Sequence, residues 1–363
     1  DQFKTYNDLI NKTKQKEFKF IKKHDKYNIY RVDVDNTESK NNKVNLGVLN
    51  DINGVSCFYS VRNKSDLDYL FAIGALGNVS FSSNQGYDNR IISNELKSIK
   101  YYISKNNRKV DIYKDYKLIK RYKNNSVYEN INPLELFYTY DSVIDKNIFN
   151  SLKENDREYA MLQSVYLSES DFITPQNPKT SSKTLMSLED IMKEGKYEEE
   201  KIKITDKGIL VKEANSEIVI HLKNVRNSEC YLSIDDFELF SNDKIESNKK
   251  FKYKSEELKY KVDNLLYVPA TTSVIKIKIN DEETYYKTYG ISTSKNTYFI
   301  GKNNYLYNLG YFKNGKYDIH IKFTKKGNYS FSDLKVICQP MDDYYKYVNE
   351  LKEDKVENFT IKG

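Results

Sequence analysis

A glycosidase needs two carboxylates about 5 to 10 Å apart across a cleft. Asp235 and Asp236 are adjacent on a strand-like run, so their side chains point to opposite faces. Asp33 and Asp35 share a strand face, but beside Arg31 they read as an outward, solvated ion-pair group. His24, His221 and His320 stand apart. The last two lie inside strand-like runs, where a hydrogen-bonded or surface histidine is expected rather than a base or ligand. The chain holds no G-x-S-x-G, P-loop, G-x-G-x-x-G or H-E-x-x-H motif. Histidine, cysteine and carboxylate do not cluster at ligand spacing, so neither a metal nor another cofactor is expected. Cys57, Cys230 and Cys338 are far apart in apolar, strand-like runs without a C-x-x-C, which predicts buried free thiols. From the residues alone, no active site is legible.

The elements available to position side chains fall into two regions. The length of 363 residues suits two domains, each able to bury a core. Residues 1–170 alternate strand-like and helical patterns. Thr5-Tyr-Asn-Asp8 has capping-box spacing ahead of Leu9, Ile10, Phe18 and Ile21, which predicts a leading helix. Strands are expected over 27–34, where Tyr30, Val32 and Val34 share a face, and over 55–61. Helices are expected over 65–75, capped by Ser65, and over 91–99, after a Gly86-Tyr-Asp-Asn-Arg90 loop; a strand follows over 100–104. This alternation predicts an α/β domain.

Residues 126–167 organise the rest. A short strand over 126–130 precedes Pro133, which has no N–H for a ladder. An extended aromatic run, Leu136-Phe-Tyr-Thr-Tyr-Asp141, leads to a single helix predicted over 150–167. There Leu152, Tyr159, Leu162, Val165 and Tyr166 recur near the helical period, with Lys153, Glu154, Asp156 and Arg157 opposite. Such a helix is expected to pack one domain on the other.

Residues 171–208 read as a linker with a short helix over 187–194 and a solvated Glu198-Glu-Glu200 run. From 209 to 363 the period becomes two, with runs over 217–225, 229–240, 273–279, 284–291, 305–311, 316–323 and 328–337. Turns such as Asn314-Gly315 and Lys326-Gly-Asn328 separate them. The pattern predicts an antiparallel β-sandwich of jelly-roll type. A closing helix over 341–351 would place Asp342 and Asp343 near its positive N-terminal end.

Composition excludes some partners. The 33 tyrosines and the Lys/Asn-rich bias suit an AT-rich bacterial genome, so the tyrosine count is no evidence of sugar stacking. The net charge of +7 arises from 59 basic and 52 acidic residues dispersed along the chain. A nucleic-acid binder concentrates its charge in a patch or stripe, so nucleic acid is not an expected partner; an anionic lipid or wall surface is compatible. No apolar run approaches the roughly 20 residues that span a bilayer, and no signal peptide is visible. Because the chain opens at Asp1 rather than Met, it is expected to be part of a longer protein.

Short motifs follow one another in a telling order. They are Tyr30-Arg-Val32, Phe58-Tyr-Ser60 with Asn63, Gly86-Tyr-Asp-Asn-Arg90, and Ile99-Lys-Tyr-Tyr-Ile103. Val127-Tyr-Glu-Asn130, Tyr138-Thr-Tyr-Asp141 and 157–167 with its Ala160-Met-Leu-Gln163 core come next. Farther on lie 301–309 with Gly310-Tyr311, and Gly327-Asn-Tyr329. In this order the chain resembles the C-terminal extracellular part of the YfhO family of bacterial polytopic membrane proteins. Ile99 stands where the family has valine, and Asn132-Pro-Leu-Glu135 replaces a more leucine- and proline-rich run.

The resemblance implies a membrane glycosyltransferase of the GT-C type in a Gram-positive cell wall. Such an enzyme takes a sugar from an undecaprenyl-phosphate carrier (a polyprenyl-phosphate donor) at the outer face of the membrane. The implied acceptor is teichoic acid, in particular lipoteichoic acid. Its catalytic carboxylate would lie in the transmembrane half, so the present chain is expected to be non-catalytic, with that half as its partner. Arg and Lys donors beside tyrosine faces would suit an anionic, hydroxyl-rich polymer. The candidates in the motif-bearing region are Arg62, Tyr87, Arg90, Lys100 and Tyr102; Asn63 and Asn130 read as turn formers or caps. The alternative is a secreted cell-wall or carbohydrate-binding protein without enzymatic activity. A stand-alone hydrolase ranks last.

Overall fold

The computed structural model describes residues 15–26, 29–34, 45–58, 63–75, 83–105, 114–167, 175–240, 250–263, 274–280, 282–284 and 303–353. The chain is mostly β and divides into two compact units. Asp1–Ile73, Ser82–Ser181 and Pro340–Gly363 form the first, and Gly74–Phe81 with Ser182–Gln339 the second.

The first unit contains β1 (Arg31–Val34), β2 (Ser56–Phe58), β3 (Ser83–Gln85), β4 (Ile99–Lys105), β5 (Tyr116–Arg121), β6 (Asn125–Asn130), β7 (Val143–Ile144), β8 (Val165–Tyr166) and β9 (Pro175–Gln176). Its main sheet runs β1-β4-β6-β5, with β1 parallel to β4 and the other pairs antiparallel. Alternation along β4 divides the layer. Tyr101 and Ile103 join Tyr30, Val32 and Val127 in a core covered by Phe18 and Ile21 of the helix Lys16–His24. Lys22, Lys23 and His24 occupy that helix's last turn, where its dipole favours cations. The predicted capping residues Thr5 to Asp8 lie outside the described residues.

The helix expected over 65–75 spans Lys64–Ala72. Its cap is Asn63, whose side chain accepts from the Ser65 backbone N–H at 3.0 Å, so Ser65 sits inside the helix rather than capping it. The single helix expected over 150–167 is replaced by Lys146–Ser151 and Glu154–Ala160, followed by β8. Leu152 is extended at the break (ψ 149°). Arg157, expected in solvent, takes up the carbonyls that the break releases: Nε donates to Phe149 O at 3.0 Å and a terminal nitrogen to Asn150 O at 2.9 Å. Asn155, Asp156 and Glu158 are also buried, so the expected polar face does not exist as such.

The C-terminal helix, Tyr344–Glu353, was expected to close the sandwich but belongs to the first unit. Tyr344, Tyr347, Val348 and Leu351 form its buried stripe. The Tyr347 ring meets Tyr159 edge-on at 5.8 Å, and Tyr344 reaches Glu95.

The second unit contains β10 (Lys183–Met186), β11 (Ile202–Thr205), β12 (Gly208–Val211), β13 (Ser216–Asp235), β14 (Glu238–Phe240), β15 (Ile275–Ile279), β16 (Glu282–Thr284), β17 (Tyr305–Phe323), β18 (Gly327–Ser330) and β19 (Asp333–Pro340). A six-stranded sheet, β10-β19-β13-β17-β15-β16, and a four-stranded sheet, β11-β12-β18-β14, contribute to one apolar core. Ile218, Ile220, Ile277, Ile319 and Ile321 enter it from the first sheet, Ile204, Val211 and Tyr329 from the second. The helix Leu188–Glu194 begins at a capping box between Ser187 and Asp190, within the predicted range.

Two expectations fail in β13 and β17. The break near residue 228 and the turn at Asn314-Gly315 are absent; each strand runs on, and the two pair through Val225↔Gly315 and Arg226↔Asn314. A register shift between Leu222 and Val225, with Asn224 and Gly315 at positive φ (58° and 135°), absorbs the irregularity as a bulge. The expected free thiols are also corrected. Cys230 of β13 and Cys338 of β19 form a disulfide across neighbouring strands, 108 residues apart in sequence. Cys57 is free.

Candidate functional site

The motif Gly86-Tyr-Asp-Asn-Arg90 is a backbone device. Gly86 has φ +82°, and a Cβ there would lie 2.7 Å from a carboxylate oxygen of Asp33. Asp88 and Asn89 are left-handed (φ 53° and 57°), and Arg90 occupies the N-cap position of the helix Ile91–Leu96. Asp33, expected in an outward pair, is buried and accepts from the Val34 backbone N–H at 2.8 Å; Asp35 lies outside the described residues.

The turn delivers Arg90 to a fully buried position, where it donates to Ile73 O at 2.5 Å and pairs with Glu158 at 3.1 Å. The other Glu158 oxygen accepts from the Ser93 backbone N–H at 2.8 Å and from the Ser93 hydroxyl. Tyr102 is likewise enclosed, its ring edge-on to Tyr116 at 6.3 Å. Tyr87 is buried with its ring 6.0 Å from Tyr69, which lies 3.8 Å beneath the Lys97 ammonium. Lys100 alone among these four reaches a surface cleft, beside His24 and Glu129; its ammonium is 2.7 Å from Asp25 and 3.7 Å from Glu129. Arg62 lies outside the described residues. The sequence therefore singled out residues that neighbour one another along the chain, and the fold does not gather them around one cavity.

Glu95 was not singled out. All six residues of its helix, Ile91-Ile-Ser-Asn-Glu-Leu96, are buried, and no alternation betrays the inward carboxylate. It accepts from Asn130 Nδ2 at 2.9 Å, from the Tyr344 hydroxyl at 3.1 Å and from the Leu134 backbone N–H. Burial pushes its pKa up to about 7 against the pull of these three donors. The folded protein thus holds this proton more tightly than the unfolded chain. This group's contribution to stability should be full below about pH 4.5, decline as pH rises, and be gone above about pH 7. The loss is on the order of 3 kcal/mol. Glu95→Gln should remove this component, read as a flatter dependence of the urea midpoint on pH; parallel wild-type and variant profiles would refute it.

In the second unit, His221 Nδ1 donates to Asp318 Oδ1 at 2.7 Å, because an ionised carboxylate can only accept. His320 Nδ1 is 3.4 Å from Glu217 Oε1. Both histidines are hydrogen-bonded surface residues, as expected. A cleft beside the first pair is lined by Lys196, Lys223 and Lys316. Its signal was present in the period-two alternation over 217–223 and 316–322.

Among the described residues, no three His, Cys, Asp or Glu side chains group as a metal site, and no helix is long and apolar enough to cross a membrane. The described residues form a β-rich protein of two units, the second carrying a disulfide between neighbouring strands of its six-stranded sheet. The chain belongs to the YfhO family: the family model, described as bacterial membrane protein YfhO, matches residues 2–363. No curated protein and no solved structure matches the chain.

Proposed function

We propose that this chain is the extracellular accessory region of a YfhO-type polytopic membrane glycosyltransferase. That enzyme transfers a sugar from an undecaprenyl-phosphate carrier to teichoic acid, specifically lipoteichoic acid, and this region contributes acceptor binding rather than catalysis. The observation that carries the reading is the family match over residues 2–363. The Cys230–Cys338 disulfide supports the outer face of the membrane, because such bonds persist in oxidising compartments and are rare in the cytosol. In this reading the first unit docks on the transmembrane half and completes the acceptor groove. The second unit, as the sandwich, holds the polymer.

The test uses the native organism. Cells are fractionated, the reactive band is sized with an antibody to this region, and intact protoplasts are shaved with protease. A membrane-bound band much larger than 42.8 kDa, clipped from outside, is expected. Deleting the region from the full-length protein should abolish sugar on lipoteichoic acid while the membrane half still inserts. A band of the chain's own mass in the medium would instead identify a secreted wall-binding protein.

A further inference from the structure

The outward face of β13 and β17 has a composition that its inward face does not predict. Ile218, Ile220 and Leu222, with Ile319, Ile321 and Phe323, are buried. Alternation therefore turns His221, Lys223, Lys316, Asp318, His320 and Lys322 to the other side. Strand register sets His221 opposite Asp318 and Glu217 opposite Lys322, while β15 sets Lys276 beside Lys322 and Lys278 beside His320. Lys196 reaches the same cleft through reciprocal backbone hydrogen bonds with Val219, each 2.9 Å.

The charges on this face are unequally engaged. Each of its two outward carboxylates on β13 and β17, Glu217 and Asp318, has a histidine as neighbour. Lys196, Lys223 and Lys316 have no ion-pair partner among the described residues. Glu194 also lines the cleft, yet lysine outnumbers carboxylate there. The bond from Nδ1 to Asp318 turns Nε2 of His221 away from that carboxylate, and Nε2 has no hydrogen-bond partner among the described residues.

We propose that this cleft binds the phosphates of a phosphodiester-linked polymer. Lys196, Lys223 and Lys316 supply the cationic contacts. Asp318 is the positioning residue that holds the His221 ring in the cleft lining through its 2.7 Å bond to Nδ1. The arrangement is linear. Successive outward residues on one strand are about 7 Å apart and neighbouring strands about 4.8 Å apart, so Lys223 and Lys316 stand close together, and past Asp318 the positive positions resume at Lys278, Lys322 and Lys276 in an interrupted track. A track matches a chain of phosphates better than one isolated anion. Lysine suits the task because its ammonium is a compact point charge on a flexible stem that can follow a mobile polymer.

This deepens the acceptor-binding reading and rests on it, but its test reads the cleft directly. The whole chain of residues 1–363 is titrated with a fluorescent poly(glycerol phosphate) oligomer. Binding is expected, and should weaken at high salt because exposed charges are screened. Lys223→Glu with Lys316→Glu should weaken it about tenfold or more, consistent with summed surface ion-pair terms. Lys203→Glu, an exposed substitution on β11, should leave it unchanged, and unaltered thermal midpoints would exclude misfolding as the cause. Three results would overturn the proposal: no binding, equal binding by the double-reversal variant, or equally tight binding of a DNA oligomer matched in charge. Loss of the membrane-ectodomain reading in the fractionation test would leave a positive titration intact. A negative titration would leave that localisation intact and remove the cleft.

Discussion

Glu158→Ala will destabilise the first unit by about 4 kcal/mol, because it leaves the Arg90 guanidinium buried without its counter-charge. Both side chains are fully enclosed, at 0% exposure. Two further contacts share the loss, since the Ser93 backbone N–H and hydroxyl both donate to Glu158. An unpaired buried donor is costly in itself, beyond the charge. The measurement is urea unfolding followed by a signal from the first unit. Glu158→Gln should lose less than the alanine variant, because the amide oxygen can still accept from Ser93. The paired replacement Arg90→Met with Glu158→Leu should recover most of the loss, since apolar residues of similar volume often replace buried ion pairs without penalty. A loss below about 1 kcal/mol for Glu158→Ala would show that Arg90 finds other partners or water.

Opening the Cys230–Cys338 disulfide will lower the stability of the second unit by a similar amount, about 4 kcal/mol. The bond spans 108 residues of sequence, and a closed loop near that length removes about 4.7 kcal/mol of chain entropy from the unfolded state in the entropic account. Both cysteines are buried in the apolar core, so the reduced thiols add no polar penalty. Reductant should lower the melting temperature of the native chain, and Cys230→Ser, Cys338→Ser and the double variant should melt at or below that temperature, since each buried hydroxyl adds its own cost. Cys57→Ser should melt with the native protein, since Cys57 is outside the bond. Reductant with no effect on the melting temperature would mean that the bond does not form in solution.

Legibility from sequence followed the range of the interactions. The alternation of Ile218, Ile220 and Leu222 is a local, period-two signal, and the antiparallel strands it predicts are present. The capping box at Ser187 is local too, and the helix begins there. The break at Leu152 was hidden because Arg157, which satisfies the released carbonyls, is itself held by the Ala72 carbonyl, which accepts from it at 3.1 Å across 85 residues. The disulfide was hidden because nothing in the spacing of Cys230 and Cys338 says that β19 returns beside β13. The stops read at Asn314-Gly315 were real backbone signals with another use, bending a strand rather than ending it.

The candidate site divides in the same way. The motif from Gly86 to Arg90 was legible as a loop, but its charged end points inward because Glu158, 68 residues later, waits there. Lys100 was found with its surroundings unspecified, since Asp25 and Glu129 reach it from other elements. The lysines of the β13–β17 face were visible as outward positions. Their convergence depends on cross-strand register, which a single strand does not encode.

The chain's path through its two units sets an order of assembly. Pro340–Gly363 belongs to the first unit, although Ser182–Gln339 of the second intervenes. Entry and exit lie side by side, since Lys183 of β10 pairs with Cys338 of β19. During synthesis from the N-terminus, the first unit therefore lacks the helix that covers Glu95 and Tyr159 until the whole of the second has been made. The first unit waits for its last piece. A chain that ends before Tyr344 would expose that unfinished surface to chaperones and proteases.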